Sequence, residues 1–181
     1  MIEIVRAGES TIYADEYTYG HNHIEVVLSG ADIHIGKFCS IAVGVKAYLG
    51  QNHRTDWITT YPFGGRFVDR FNNIKETGFQ TTKGNIVIEN DVYIGIDAKL
   101  MSGVTIGNGA VIGAHTVVAK NVPPYCVFVG NPGRVIRKRF SDEDIEFLQH
   151  IKWWNWNKTK INEYLPLLCS NDISALRKSL T

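Results

Sequence analysis

Net charge is nearly absent from this chain: 19 Lys and Arg stand against 18 Asp and Glu, a formal charge of +1. No global field draws it to nucleic acid or to an anionic membrane, which excludes a generally basic binding protein and removes nucleic acid from the expected partners. Long apolar runs are missing too. None approaches the roughly 20 residues of a spanning helix, so membrane insertion is not expected. The start, Met1 to Gly20, lacks the basic-then-apolar order of a secretory leader. Cysteine is scarce: Cys39, Cys126 and Cys169 form neither a CxxC pair nor an even set, which fits structural thiols in a reducing compartment. A cytoplasmic location is the expectation.

What remains is enough for a core. With 181 residues, 44% apolar and 20% charged, the chain reads as one principal domain with a small appendage. From Ile88 onward a large aliphatic stands at every sixth position: Ile88, Ile94, Leu100, Ile106, Ile112 and Val118. This is neither helical nor simple strand spacing. Four residues after each comes a small or β-branched residue, Val92, Ala98, Val104, Ala110, Thr116 and Val122. Gly95, Gly107 and Gly113 follow the aliphatic, where a turn needs unusual backbone angles or a backbone approaches closely. A hexad of short strand and turn cannot bury its own apolar face, so successive units must stack as coils at the ~4.8 Å strand spacing. The predicted fold is an all-β solenoid, a parallel β-helix.

The same phase runs earlier, with Val27, Ile33, Cys39 and Val45 in the small column, Ile35 and Ile41 in the aliphatic one, and Gly36 repeating the glycine. Cys39 then reads as a small core residue. Before residue 23 the register blurs, as in a terminal cap. The β-helix is assigned to residues 1–140 and a small helical segment to 141–181. In the latter, Ser141-Asp142-Glu143-Asp144 is a helix start, Ile145, Leu148 and Ile151 have helical spacing, and further helices fit 158–168 and 172–179. Trp153, Trp154 and Trp156 are read as packing anchors that hold these helices to the solenoid.

Between about 48 and 84 the period vanishes. This long inserted loop carries Asn52, His53, Arg54, Asp56, Trp57, Tyr61, Pro62 and phenylalanines at 63, 67, 71 and 79. An excursion of that length inside a compact repeat is usually functional, and its rings need a surface to cover, either neighbouring coils or another subunit. After Val122-Pro123-Pro124, the stretch Cys126 to Gly130 is strand-like and Asn131-Pro132-Gly133 marks a turn.

The hexads, the segments Asn52-His53-Arg54-Thr55-Asp56-Trp57 and Tyr61-Pro62-Phe63, Gly130-Asn131-Pro132-Gly133, and Lys152-Trp153-Trp154-Asn155-Trp156 occur in this order. Together they resemble the xenobiotic acetyltransferase branch of the hexapeptide-repeat acyltransferases. That branch includes the chloramphenicol and streptogramin A acetyltransferases and has close relatives in polysaccharide biosynthesis. The resemblance covers roughly residues 24 to 170. It implies a left-handed β-helix, a homotrimer, acetyl-CoA as donor and active sites at the subunit interfaces, with no metal.

The resemblance also carries residue roles. His53 matches the histidine of the family's Asn-His motif and is expected to act as general base on the acceptor. A positioned base is worth about 10²- to 10⁴-fold, so positioning and donors facing the oxyanion must supply the rest. Direct transfer is expected, because the thioester is already activated and no Ser or Cys need carry the acyl group. Asn52, Asp56 or a backbone carbonyl is left to orient the ring through Nδ1. Ile96, Ala114, Ala119 and Lys120 are expected to line the pantetheine arm, and Arg134 and Arg137, with Lys138, to hold the nucleotide phosphates. Without the resemblance, the basic run Arg134 to Arg139 also reads as a solvated strand end or a nucleic-acid patch, but four charges in an otherwise neutral chain favour a local anion site. Tyr93 stands where many relatives have Trp, which alters the surroundings of the imidazole.

Other histidines compete less well. His21-x-His23 lacks a third metal ligand and reads as a solvated turn, His34 and His150 look peripheral, and His115 sits beside the expected donor groove at a solvent-facing hexad position. The expected acceptor is a sugar or sugar nucleotide, because the N-terminal region is shorter than in the drug-modifying members. An antibiotic is the alternative, and a non-catalytic or zinc-dependent hexapeptide-repeat protein the remote one.

Overall fold

The computed structural model describes residues 3–63 and 80–180. Contacts divide the chain into two units, Met1–Lys138 and Arg139–Thr181. Among the described residues no helix is long and apolar enough to cross a membrane.

In the first unit the chain winds through three sheets, whose parallel strands come from successive turns. One sheet opens with the antiparallel pair β1 (Glu3–Ala7) and β2 (Ser10–Ala14) and continues in parallel through β4 (Ile33–Ile35), β9 (Ile86–Ile88) and β12 (Thr105–Ile106). A second stacks β5 (Ser40–Ile41), β10 (Tyr93–Ile94), β13 (Val111–Ile112) and β15 (Cys126–Gly130) in parallel, then adds β16 (Gly133–Lys138) antiparallel to β15. The third runs β3 (Glu25–Leu28), β6 (Lys46–Tyr48), β11 (Lys99–Met101) and β14 (Val117–Val118). Ile41, Ile94, Ile112 and Phe128 are successive partners across the second sheet, so one turn between residues 94 and 112 is three hexads long.

The two columns read from the sequence become the core of this winding. Ile88, Ile94, Leu100, Ile106, Ile112 and Val118 are all buried, and so are Val92, Ala98, Val104, Ala110, Thr116 and Val122. Each large aliphatic removed from water contributes about 1.5–3 kcal/mol, and successive coils lay like residues over one another. Between columns the chain must turn, and several corner residues adopt left-handed backbone: Phe38, Asp91, Asp97 and His115 have φ of 58°, 56°, 57° and 57°.

The hexad glycines serve the second of the two uses expected of them. A Cβ on Gly95 would lie 2.7 Å from the Ala114 nitrogen, and one on Gly107 would lie 2.6 Å from the Pro124 nitrogen. What approaches is the next coil's backbone. Carboxamides then tie the corners together: Asn90 Oδ1 accepts from Lys37 N at 2.9 Å, and Asn108 Oδ1 accepts from Asn90 N at 2.9 Å and from Asn90 Nδ2 at 2.8 Å.

Cys39 lies in the core, its Sγ donating to Glu89 O at 2.9 Å, and burial pushes its thiol up to about 12. Val27 departs from the expected column. It is exposed, and Val26 is half-buried in its place, because the pairing of β3 with β6 shifts register between Val26 and Leu28. A one-residue slip turns a strand's side chains to the opposite face. His21 also differs from the expected solvated turn: it is buried in a short 3-10 turn, His21–His23, with Nε2 2.9 Å from Glu3 Oε2.

The second unit holds α1 (Asp142–Ile151), α2 (Lys158–Leu168) and α3 (Ile173–Ser179). Ser141, Asn157 and Asp172 cap them, accepting from Asp144 N, Lys160 N and Ala175 N. Trp154 is buried, and Trp156 Nε1 donates to Ile151 O at 3.1 Å.

Candidate active site

The excursion leaves the coils through a narrow neck. β7 (Asn52–His53) pairs antiparallel with β8 (Gln80–Thr81), Asn52 opposite Thr81 and His53 opposite Gln80. The neck is fastened to the coil beneath it. Asn52 Nδ2 donates to Thr81 O at 3.1 Å and to Ser102 Oγ at 3.3 Å, and the same hydroxyl accepts from Lys83 N at 3.2 Å. His53 therefore rises from a two-stranded stub braced on a coil corner. Phenylalanines 67, 71 and 79 lie outside the described residues.

His53 lines an open cleft of about 520 Å³ together with Asn52, Arg54, Thr55, Asp56, Thr81 and Lys83. Its Nδ1 stands 2.8 Å from the carbonyl oxygen of Thr60. A carbonyl only accepts, so this contact requires the proton on Nδ1 and leaves the Nε2 lone pair unprotonated in the neutral ring. Of the three groups left open for orienting the ring, the backbone carbonyl makes the contact. Asn52 is committed to the neck, and Asp56 is occupied by Arg54, whose Nε donates to Asp56 Oδ1 at 2.7 Å while Nη2 meets Oδ2. The Arg54 hydrogen bonds hold the Asp56 carboxyl below the usual carboxylate range, and the guanidinium lies 5.1 Å from the Trp57 ring centroid.

The residues expected along a donor groove fall at three places. Ile96 and Ala114 sit at the same corner of successive coils, where His115 N donates to Ile96 O at 2.8 Å. Ala119 and Lys120 lie at the other end of β14, at the corner occupied one coil back by Met101 and Ser102 and two coils back by Tyr48 and Leu49. That is the corner from which the His53 neck departs. Arg134 and Arg137 stand on β16 opposite Val129 and Val127. All six are exposed.

The local chemistry suits an extended chain with amides. Ala114 and Ala119 place no bulk on the surface, and their backbone N–H groups make no hydrogen bond among the described residues. Ile96 adds an apolar contact, 43% exposed, and β16 supplies two guanidiniums for an anionic end. Tyr93, on β10 between Ser40 and Val111, belongs to a different sheet from the His53 neck and is 47% exposed.

Two of the rival histidines have other partners. His115 is exposed, with Nδ1 3.8 Å from Asp97 Oδ2. His34 stacks on Tyr13 with ring centroids 4.9 Å apart, and its Nε2 lies 3.3 Å from Asn85 Nδ2. Among the described residues no group of three His, Cys, Asp or Glu side chains is placed to hold a metal ion. Two parts of the site escaped the sequence reading. Thr60 acts through its carbonyl, which carries no residue-type signal. Lys83 and Thr81 come to the cleft only through the pairing of β7 with β8.

Comparison with known proteins gives one consistent picture. Residues 85–120 match the family model for the bacterial transferase hexapeptide, six repeats. The chain is 47% identical over 153 residues to a probable macrolide acetyltransferase of Lysinibacillus sphaericus, covering 82% of each chain. It is 44% identical to a chloramphenicol acetyltransferase of Klebsiella aerogenes, over 80% of this chain and 69% of that one. Among solved structures, the hexapeptide-repeat containing acetyltransferase VCA0836 of Vibrio cholerae aligns with a TM-score of 0.55 at 31% identity, over 72% of this chain and 64% of that chain. The same enzyme complexed with acetyl coenzyme A aligns at 0.50, also at 31% identity, over 66% and 55%.

Proposed function

The chain belongs to the hexapeptide-repeat acetyltransferases, and from that premise we propose that it moves an acetyl group from acetyl-CoA to a hydroxyl or amine of a small acceptor, with His53 as general base. The observation that carries the role of His53 is the contact of its Nδ1 with Thr60 O, which leaves Nε2 unprotonated in the neutral ring. There Nε2 takes the proton of the attacking hydroxyl or amine, and the imidazolium so formed has a proton to return to the leaving group. Acetyl-CoA supplies an already activated thioester. The side chains of this protein therefore need only bind, orient and move one proton.

Ile96, Ala114, Ala119 and Lys120 are assigned to the pantetheine arm and Arg134 and Arg137 to the phosphates. Ile96 and Ala114 turn at a different corner from the His53 neck, and Arg134 and Arg137 stand on β16 in another sheet, which supports a homotrimer whose sites form between subunits. The coils are read as a left-handed parallel β-helix, the hand that the family resemblance implies. The enzyme is assigned to the cytoplasm, where acetyl-CoA is at hand and where its three cysteines stay reduced thiols.

In the sequence, the preference for a sugar acceptor rests on a short N-terminal region. The names of the curated relatives favour an antibiotic. A thiol-release assay with acetyl-CoA over chloramphenicol, a streptogramin A, a macrolide and nucleotide sugars ranks the acceptors by kcat/KM. Release that depends on one of these acceptors supports the reading. Absence of acetyl-CoA binding by calorimetry would overturn it.

A further inference from the structure

The helical unit contains a second cavity, of about 390 Å³, that acetyl transfer does not use. Phe147, His150 and Ile151 from α1, Trp156 from the connection to α2, Lys160 from the first turn of α2, and Arg177 and Leu180 from α3 and its end line it. Its size lies within the roughly 300–1,000 Å³ of small-molecule sites.

The walls are held in place by their own bonds. Trp156 is fixed through Nε1 to Ile151 O and packs edge-on to Tyr164 at 5.2 Å, and the Tyr164 hydroxyl donates to Ser179 O at 3.0 Å, tying α2 to α3. Two cations then lie on aromatic plates at the cavity. The Lys160 ammonium sits 4.4 Å from the Trp156 centroid and 5.7 Å from that of Tyr164, and the Arg177 guanidinium sits 4.2 Å from the Phe147 centroid. Arg177 Nη2 donates to Asp144 Oδ1 at 3.1 Å, whereas Lys160 pairs with no carboxylate among the described residues.

Beside the His150 imidazole, two fixed cations against one carboxylate leave a positive charge to be met. Ring faces attract a cation without neutralising it, so an incoming anion still gains a charge-assisted hydrogen bond. Ile151 and Leu180 add an apolar surface. We propose that this cavity binds a small organic monoanion, a carboxylate carried on a flat apolar body, with Lys160 as the principal charge partner. Inorganic phosphate would leave Ile151 and Leu180 uncovered, and a neutral or cationic ring would leave Lys160 unmet.

The test uses the full chain and 2-naphthoate, followed by calorimetry and by the indole N–H resonance of Trp156. The expected result is saturable binding that shifts this resonance, weakens with added salt, is lost for 2-naphthalenemethanol, and falls about tenfold in Lys160→Gln, a variant checked by thermal melting. Binding equal for the alcohol and the acid would overturn the proposal, as would binding unchanged in a folded Lys160→Gln chain. Competition by acetyl-CoA would place the anion elsewhere, and inorganic phosphate displacing naphthoate at equal concentration would reject the monoanion.

Discussion

The imidazole of His53 is oriented by the main chain: its Nδ1 lies 2.8 Å from the carbonyl oxygen of Thr60, seven residues further along. No side chain need be ionised to set the tautomer, and none can be deleted to remove it. The neighbouring carboxylate, Asp56, is tied to Arg54 instead.

Asp56→Ala is accordingly expected to leave kcat within about threefold of the parent, far short of the effect of losing a general base. Steady-state kinetics on the best acceptor checks this. A hundredfold loss would mean that Asp56, not Thr60, orients the ring.

Replacement of both Arg134 and Arg137 by Ala should raise the KM for acetyl-CoA about tenfold with little change in kcat, since lost charge-assisted bonds to remote phosphates weaken binding. Acetyl-pantetheine, which lacks those phosphates, should be used equally well by parent and variant. Equal loss with both donors would remove these arginines from the phosphate end.

Gly95→Ala tests the coil stacking. The added methyl would stand 2.7 Å from the backbone nitrogen of Ala114, where no flexible side chain can yield, and overpacking of this kind costs about 1–3 kcal/mol. A lowered melting temperature is expected. An unchanged one would show that the coils can separate without penalty.

Cys39 predicts an alkaline signature. Its thiol is held at about 12 when folded against 9.0 for a free thiol, chiefly by burial. The neutral form is favoured in the fold, so the contribution is fully present below pH 9 and is lost as pH rises from 9 toward 12. The stability gap between the parent and Cys39→Ala, read from urea midpoints, should narrow between pH 8 and pH 10.5. A gap independent of pH would contradict the assignment.

Much of the fold is legible because its period is written in residue types. Ile94 and Ile112 are buried partners for the reason that placed them in one column, and Gly95 is small because the next coil passes over it. Val27 misled because a register shift leaves no trace in composition, and His21 because its burial depends on a hairpin, β1–β2, that lies outside the repeat. At the site, His53 was recognisable only by its neighbours in sequence. The Thr60 carbonyl, common to every residue type, and the pairing of Asn52 with Thr81 across the excursion had no sequence mark at all.

The most direct measurement is the rate of coenzyme A thiol release by His53→Ala, compared with the parent at saturating acetyl-CoA and acceptor. Loss of a proton acceptor at Nε2 predicts a fall in kcat of about 10²- to 10⁴-fold with little change in either KM. A variant that turns over within threefold of the parent would contradict the account.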